Sequence, residues 1–155
     1  MDILKQLLVY ALLAAGLWAA ITYLPRLQRV APEVNYYDID GMKPYEAGYF
    51  LEPVTPAQLK TGDAVCFALG NSREKSALFG WIAGLPGQQV AIVKGKVEVD
   101  GKPAHPHTTL SLPDCGPLAV PAGHAFVVSS NHRYDSLANG PLPLSTIRGR
   151  IEELP

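Results

Sequence analysis

The run from Leu7 to Leu24, LLVYALLAAGLWAAITYL, contains no charged residue, and nothing else in the chain restricts its fold as strongly. As an α-helix it is about 27 Å long at 1.5 Å per residue, close to the thickness of a bilayer's hydrocarbon core. Lys5 precedes the run, Pro25-Arg26 follow it, and Trp18 and Tyr23 are residue types that favour the membrane interface. A core helix of a soluble domain would keep one polar face, and this one is apolar all round. A cleaved leader is the second alternative, but the run is long for such a segment and no small-x-small site follows at the right distance. The expectation is an uncleaved anchor over residues 1–25, ended by Pro25. A juxtamembrane linker over 26–35 and one β domain over 36–155 then complete the chain. Arg26 and Arg29 follow the span, whereas Lys5 before it is opposed by Asp2. Positive charge alone therefore places the C-terminal side in the cytoplasm.

After the anchor the apolar runs are short and punctuated. Gly and Pro number 14 each and are scattered between them, as in a turn-rich β protein. Strands are expected at residues 49–51, 63–69, 90–94, 97–99, 125–128 and 147–151. Val97-Glu98-Val99 alternates, and Asp100-Gly101 after it is a strong hairpin-turn pair. Pro56 to Lys60 suits one helical turn, and residues 72–79 suit a short helix or a loop. The fold class is mainly β, following one transmembrane helix.

The charge balance excludes some functions. The net charge is −1 and charged residues make up 17%, so nothing points to a basic surface for nucleic acid. His105, His107, His124 and His132 lack metal-site spacing, and two cysteines are too few for structural zinc. No metal or other cofactor is expected. Cys66 and Cys115 allow one disulfide in an oxidising compartment, or else are two buried thiols.

Seven short motifs then occur in a particular order. They are Gly41-Met42-Lys43-Pro44, Thr61-Gly62-Asp63-Ala64-Val65-Cys66-Phe67, Gly84-Leu85-Pro86-Gly87 with Val90, and Val97-Glu98-Val99-Asp100-Gly101-Lys102-Pro103. Val120-Pro121-Ala122-Gly123-His124-Ala125-Phe126-Val127, Asp135-Ser136 with Gly140-Pro141, and Ile147-x-Gly149-Arg150 follow. Each is weak alone, but in this order they resemble the boxes of the type I signal peptidases over about residues 41 to 150. Gly48-Tyr49 and the positions of the two cysteines are similar to the branch found in conjugative-transfer systems, which matures pilin. The resemblance implies a signal-peptidase-like β domain on the extracytoplasmic side of the inner or cytoplasmic membrane. That orientation is opposite to the one the flanking charges give.

The resemblance also implies a chemistry, and this chain lacks its parts. These enzymes cut a peptide bond with a serine whose hydroxyl is activated by a lysine of lowered pKa. Here Gly41 stands at the serine position and Gly80 at the lysine position. Ile39 stands where an oxyanion hydroxyl is common, Arg133 where a serine orients the lysine, and Leu137 where an arginine follows Asp-Ser. Loss of nucleophile and base removes the dyad as a unit. The glycines at 41 and 80 are expected to enlarge the floor of the cleft. Asp135, Ser136 and Gly140 are expected to be structural, with Asp135 capping or bracing a loop.

The function that follows is binding or scaffolding of an extended peptide by a catalytically inactive relative. The partner is a pilin-like or secreted precursor, or a protein of an assembly complex. Met42, Pro44, Trp81 and Ile82 are the groove candidates, Ile82 also suiting the core and Trp81 a partner or lipid surface. The alternative is an active membrane endopeptidase removing leader peptides with displaced residues drawn from Lys43, Lys75, Ser72, Ser76, Ser129 and Ser130. A self-cleaving regulator of related fold is disfavoured by the anchor and by the absence of a DNA-binding segment.

Overall fold

The structure, a computed structural model, describes residues 3–23, 28–30, 49–69, 78–104, 112–129 and 132–153. Helix α1 spans Ile3–Tyr23. Its window from Lys5 to Thr22 is long and apolar enough to cross a membrane, and none of that window is buried against the rest of the protein. Leu7, Leu12, Leu17 and Trp18 are all well exposed, which in water would be an unstable surface and in lipid is the ordinary one.

The strands among the described residues form two sheets. The larger contains β1 (Gln28–Val30), β2 (Tyr49–Glu52), β3 (Ala64–Phe67), β4 (Leu78–Gly84), β9 (His124–Val128), β10 (Leu142–Pro143) and β11 (Ile147–Glu153). Their spatial order is β1-β2-β11-β3-β4-β9-β10. The smaller contains β5 (Gln89–Val93), β6 (Lys96–Val99), β7 (Lys102–Pro103) and β8 (Cys115–Ala119) in the order β7-β6-β5-β8. All pairings are antiparallel. The linker expected over 26–35 is corrected in part, because Gln28, Arg29 and Val30 pair with Leu51, Phe50 and Tyr49. The larger sheet thus begins five residues beyond the last residue of α1.

Among the described residues two apolar clusters hold the sheets, and strand β9 serves both. Phe126 and Val128 join Ala83, Val90, Ile92, Val97, Val99, Leu112 and Val120 between the sheets. Ala125 and Val127, facing the other way, join Leu59, Val65, Phe67, Leu78, Ile82 and Leu142. A strand covered on both faces needs a continuous apolar run, which Ala125-Phe126-Val127-Val128 supplies. In β5 and β6 only alternate residues are buried, so these strands read as half-covered. Each fully buried Val, Ile or Phe contributes roughly 1.5–3 kcal/mol by leaving water. The turn between β6 and β7 falls at Asp100-Gly101, where the sequence places it. Asp100 Oδ1 also accepts the Gln89 N–H at 2.9 Å, fixing the start of β5 to that turn.

Candidate functional site

The site is built around the central strand β4, which lies between β3 and β9. Gly80 pairs with Val65 on one side. On the other, Trp81 pairs with Val128 and Ile82 with Val127. Continuing that register one residue past the end of β9 sets Ser129 opposite Gly80. The sequence suggested a short helix or loop up to Phe79, but β4 starts at Leu78. Its glycines at 80 and 84 lower strand propensity, and burial on both faces overrides that.

A β-carbon at Gly80 would lie 2.8 Å from Val127 Cγ1, 3.0 Å from the Val128 carbonyl oxygen and 3.3 Å from Phe67 Cε1. The expectation of an enlarged cleft floor at this position is therefore corrected. Val127 and Phe67 fill the space through which a longer side chain at residue 80 would leave the backbone, so the core has closed over it. Trp81 and Ile82 are corrected as groove candidates for a related reason. They are 5% and 0% exposed, because a strand flanked on both edges and covered on both faces leaves neither side chain open. Trp81 accordingly offers no partner or lipid surface. Gly41, Met42 and Pro44 lie outside the described residues, as do Ile39, Lys43, Ser72, Lys75, Ser76 and Ser130. Ser129 is described and is 1% exposed.

The Gly84-Leu85-Pro86-Gly87 turn joins the sheets. A β-carbon at Gly84 would overlap Val90 Cγ2 and sit 3.3 Å from Val120 Cγ2, so only glycine lets β4 pass this close to the smaller sheet. Gln88 Oε1 accepts the Leu85 N–H at 2.7 Å and the Thr61 hydroxyl at 3.1 Å. Gly62 N donates to Ile82 O at 2.7 Å, and Ile82 N donates to Asp63 O at 2.9 Å. The Thr61-Gly62-Asp63 motif and the turn motif thus grip the same strand.

Asp135 and Ser136 form a clasp on β9. Asp135 is wholly buried and caps the one-turn helix α2 (Ser136–Asn139), its Oδ1 accepting the Leu137 N–H at 2.8 Å. Its Oδ2 accepts the Ser129 N–H at 3.0 Å and contacts His132 Nδ1 at 2.9 Å. Ser136 Oγ accepts the Val127 N–H at 2.8 Å. Gly140 ends the helix, its N–H donating to Ser136 O. The clasp therefore fixes the strand whose Val127 closes the space beside Gly80. Arg133 is exposed and stacks 5.8 Å from the Tyr134 ring centroid, while Leu137 packs on the inter-sheet cluster. Neither residue offers a group that would orient a lysine.

Cys66 and Cys115 are free thiols, one buried on β3 and one half-buried on β8, so of the two alternatives the sequence left open the structure has the unbridged one. Cys66 pairs with Phe79 and Gly149 within the larger sheet, and Cys115 pairs with Ile92 in the smaller. The cysteines thus occupy strands of different sheets. Burial pushes the Cys66 thiol up to about 11, against a weaker opposite pull from the Arg148 guanidinium. Such a thiol is protonated at neutral pH and is no nucleophile. Among the described residues no cluster of three or more His, Cys, Asp or Glu is placed to hold a metal.

A family model described as signal peptidase, peptidase S26, matches residues 4–154. The chain belongs to the signal peptidase family. Among solved structures, a signal peptidase I from Enterococcus faecalis V583 is similar at 18% identity and a TM-score of 0.49. The match covers 61% of this chain and 97% of that one. No curated protein matches. The sequence resemblance and the mainly β fold after one apolar helix thus agree with family membership. The His132–Asp135 contact was missed by sequence reasoning. A His-x-x-Asp spacing before a helix cap is the signal that would have suggested it.

Proposed function

We propose that this member of the signal peptidase family is a membrane-anchored protein that has lost peptide-bond hydrolysis and holds its peptide instead. Its partner is an extended segment of a signal-bearing or pilin-like precursor, or a protein of a membrane assembly complex. The β domain works on the extracytoplasmic side. The observation that carries this reading is the packing at Gly80. Val127 and Phe67 occupy the space beside it, so a base cannot be regained there by one substitution. A position vacated without repacking would have left a gap, and a gap costs stability in proportion to its volume. The turn, hairpin and clasp motifs that shape the domain are all retained. In the family such a frame recognises an extended chain by adding it to a sheet edge, where backbone hydrogen bonds supply affinity without any catalytic group.

The test is capture without cleavage. Full-length protein in lipid vesicles is mixed with signal-bearing precursors and pilins that carry a photo-crosslinker beside the leader junction. The expected result is a cross-linked adduct whose precursor part keeps its full mass. A precursor shortened at one defined site overturns the reading.

A further inference from the structure

A second centre lies at the end of β9 that the serine–lysine chemistry does not use. His132 Nδ1 is 2.9 Å from Asp135 Oδ2. That same oxygen takes the Ser129 N–H at 3.0 Å, and Oδ1 takes the Leu137 N–H at 2.8 Å. An ionised carboxylate only accepts hydrogen bonds, so the His132 contact places a proton on Nδ1. Nε2 is then the ring's remaining acceptor, and it has no hydrogen-bond partner among the described residues. The His132 side chain is 33% exposed while Asp135 is 0% exposed. A half-open imidazole is thus held in one tautomer by a dry carboxylate, itself fixed by two backbone N–H groups. The same carboxylate balances the charge that forms when the ring takes a proton. The strand register sets Ser129, whose N–H meets Asp135, opposite Gly80.

We propose that His132 is a general base, with Asp135 as its positioning residue, able to activate water against small acyl esters. Nε2 takes a proton from water as the water oxygen bonds to the ester carbonyl carbon. Collapse then breaks the bond from that carbon to the alcohol oxygen, and the Nε2 proton passes to the departing oxygen. The net change is ester plus water giving acid plus alcohol, with no oxidant, reductant or metal required. An ester with a good leaving group suits this centre, since its departing oxygen needs little protonation, whereas an amide nitrogen needs a strong acid. His124 is an internal comparison. Its Nδ1 also meets an oxygen at 2.9 Å, but that oxygen is the neutral carbonyl of Ala122 on an exposed turn.

The probe is p-nitrophenyl acetate with the full-length protein in micelles. Hydrolysis should exceed that of His132→Gln about a hundredfold or more, the low end of what a positioned base provides. His124→Gln should match the unmutated protein. Asp135→Asn should lower the rate, and in spectra of 15N-histidine-labelled protein it should release the His132 ring from its Nδ1–H tautomer. The unmutated spectrum keeps the test decisive should that variant fail to fold. An Nε2–H tautomer for His132, or a His132→Gln variant as active as the parent, overturns the proposal. If a precursor peptide is cleaved and His132→Gln abolishes that cleavage, the base is supported and the non-hydrolysing reading falls. If neither ester nor peptide is cleaved, the base falls and the non-hydrolysing reading stands.

Discussion

Placing a methyl group on Gly80 asks directly whether the core has closed over this residue. In Gly80→Ala the new β-carbon meets Val127 Cγ1 at 2.8 Å and the Val128 carbonyl oxygen at 3.0 Å, against an ordinary carbon–carbon separation of about 3.5–4.0 Å. Val127 cannot simply withdraw, because its N–H is held by Ser136 Oγ and the Ser129 N–H by Asp135. Overpacking of this kind costs about 2 kcal/mol, which lowers the melting temperature of a domain this size by about 8 °C at roughly 4 °C per kcal/mol. Val127→Ala alone removes two buried methyl-sized groups and costs about 2 kcal/mol. The double variant relieves the overlap and should also cost only about 2 kcal/mol, where independent effects would total about 4. Urea unfolding followed by Trp81 fluorescence in a Trp18→Phe background measures the cycle. If Gly80→Ala is neutral, or if the two substitutions add, residue 80 has free space and the account of its closure is wrong.

The other outcomes follow from the same packing. Gly41→Ser with Gly80→Lys should yield no cleavage of a signal-bearing precursor, and any gain should need Val127→Ala as a third change; end-point proteolysis of the double and triple variants checks this. A thiol reagent at neutral pH should label Cys115 in the folded protein and Cys66 only after denaturation, read by peptide mass. Cys66 holds its proton up to about pH 11 when folded and loses it near pH 9 when unfolded. Its contribution is therefore complete below about pH 9 and is lost as the pH rises towards 11, because the unfolded chain binds fewer protons there. The stability advantage over Cys66→Ala should shrink across that interval in alkaline urea titrations. Asp135→Ala strands the Ser129 and Leu137 N–H groups and removes a helix cap, and should cost about 3 kcal/mol or more in the same unfolding assay.

Much of the β domain was legible because local chemistry and tertiary need agree in it. The Ala125-Phe126-Val127-Val128 run, the alternation of Val97-Glu98-Val99 and the Asp100-Gly101 turn all give strands and turns where the residues place them. Strand β4 was not legible, since Gly80 and Gly84 look like loop residues until the close approach of Val90 and Val127 explains them. Trp81 reads in sequence as a groove or surface candidate, yet only the flanking strands β3 and β9 show that it is enclosed. Asp135 could be read as a loop brace from its place before Ser136, whereas its contact with His132 depends on how the chain turns between Ser129 and Asp135. The cysteines gave no guide to pairing, as sequence spacing does not reveal that they lie on different sheets. The glycines at 41 and 80 were readable at once, and the packing of Val127 over residue 80 is a matter of tertiary structure alone.

Turnover of a natural-length substrate by the unmutated protein reads most directly whether it hydrolyses peptide bonds. Full-length protein in vesicles is incubated with an excess of labelled signal-bearing precursor, and the new N-termini are mapped by mass spectrometry over many hours. Termini indistinguishable from those in protein-free vesicles are expected, with the precursor recovered intact on the protein. A single new terminus at the leader junction, accumulating in proportion to the protein added, would contradict that expectation.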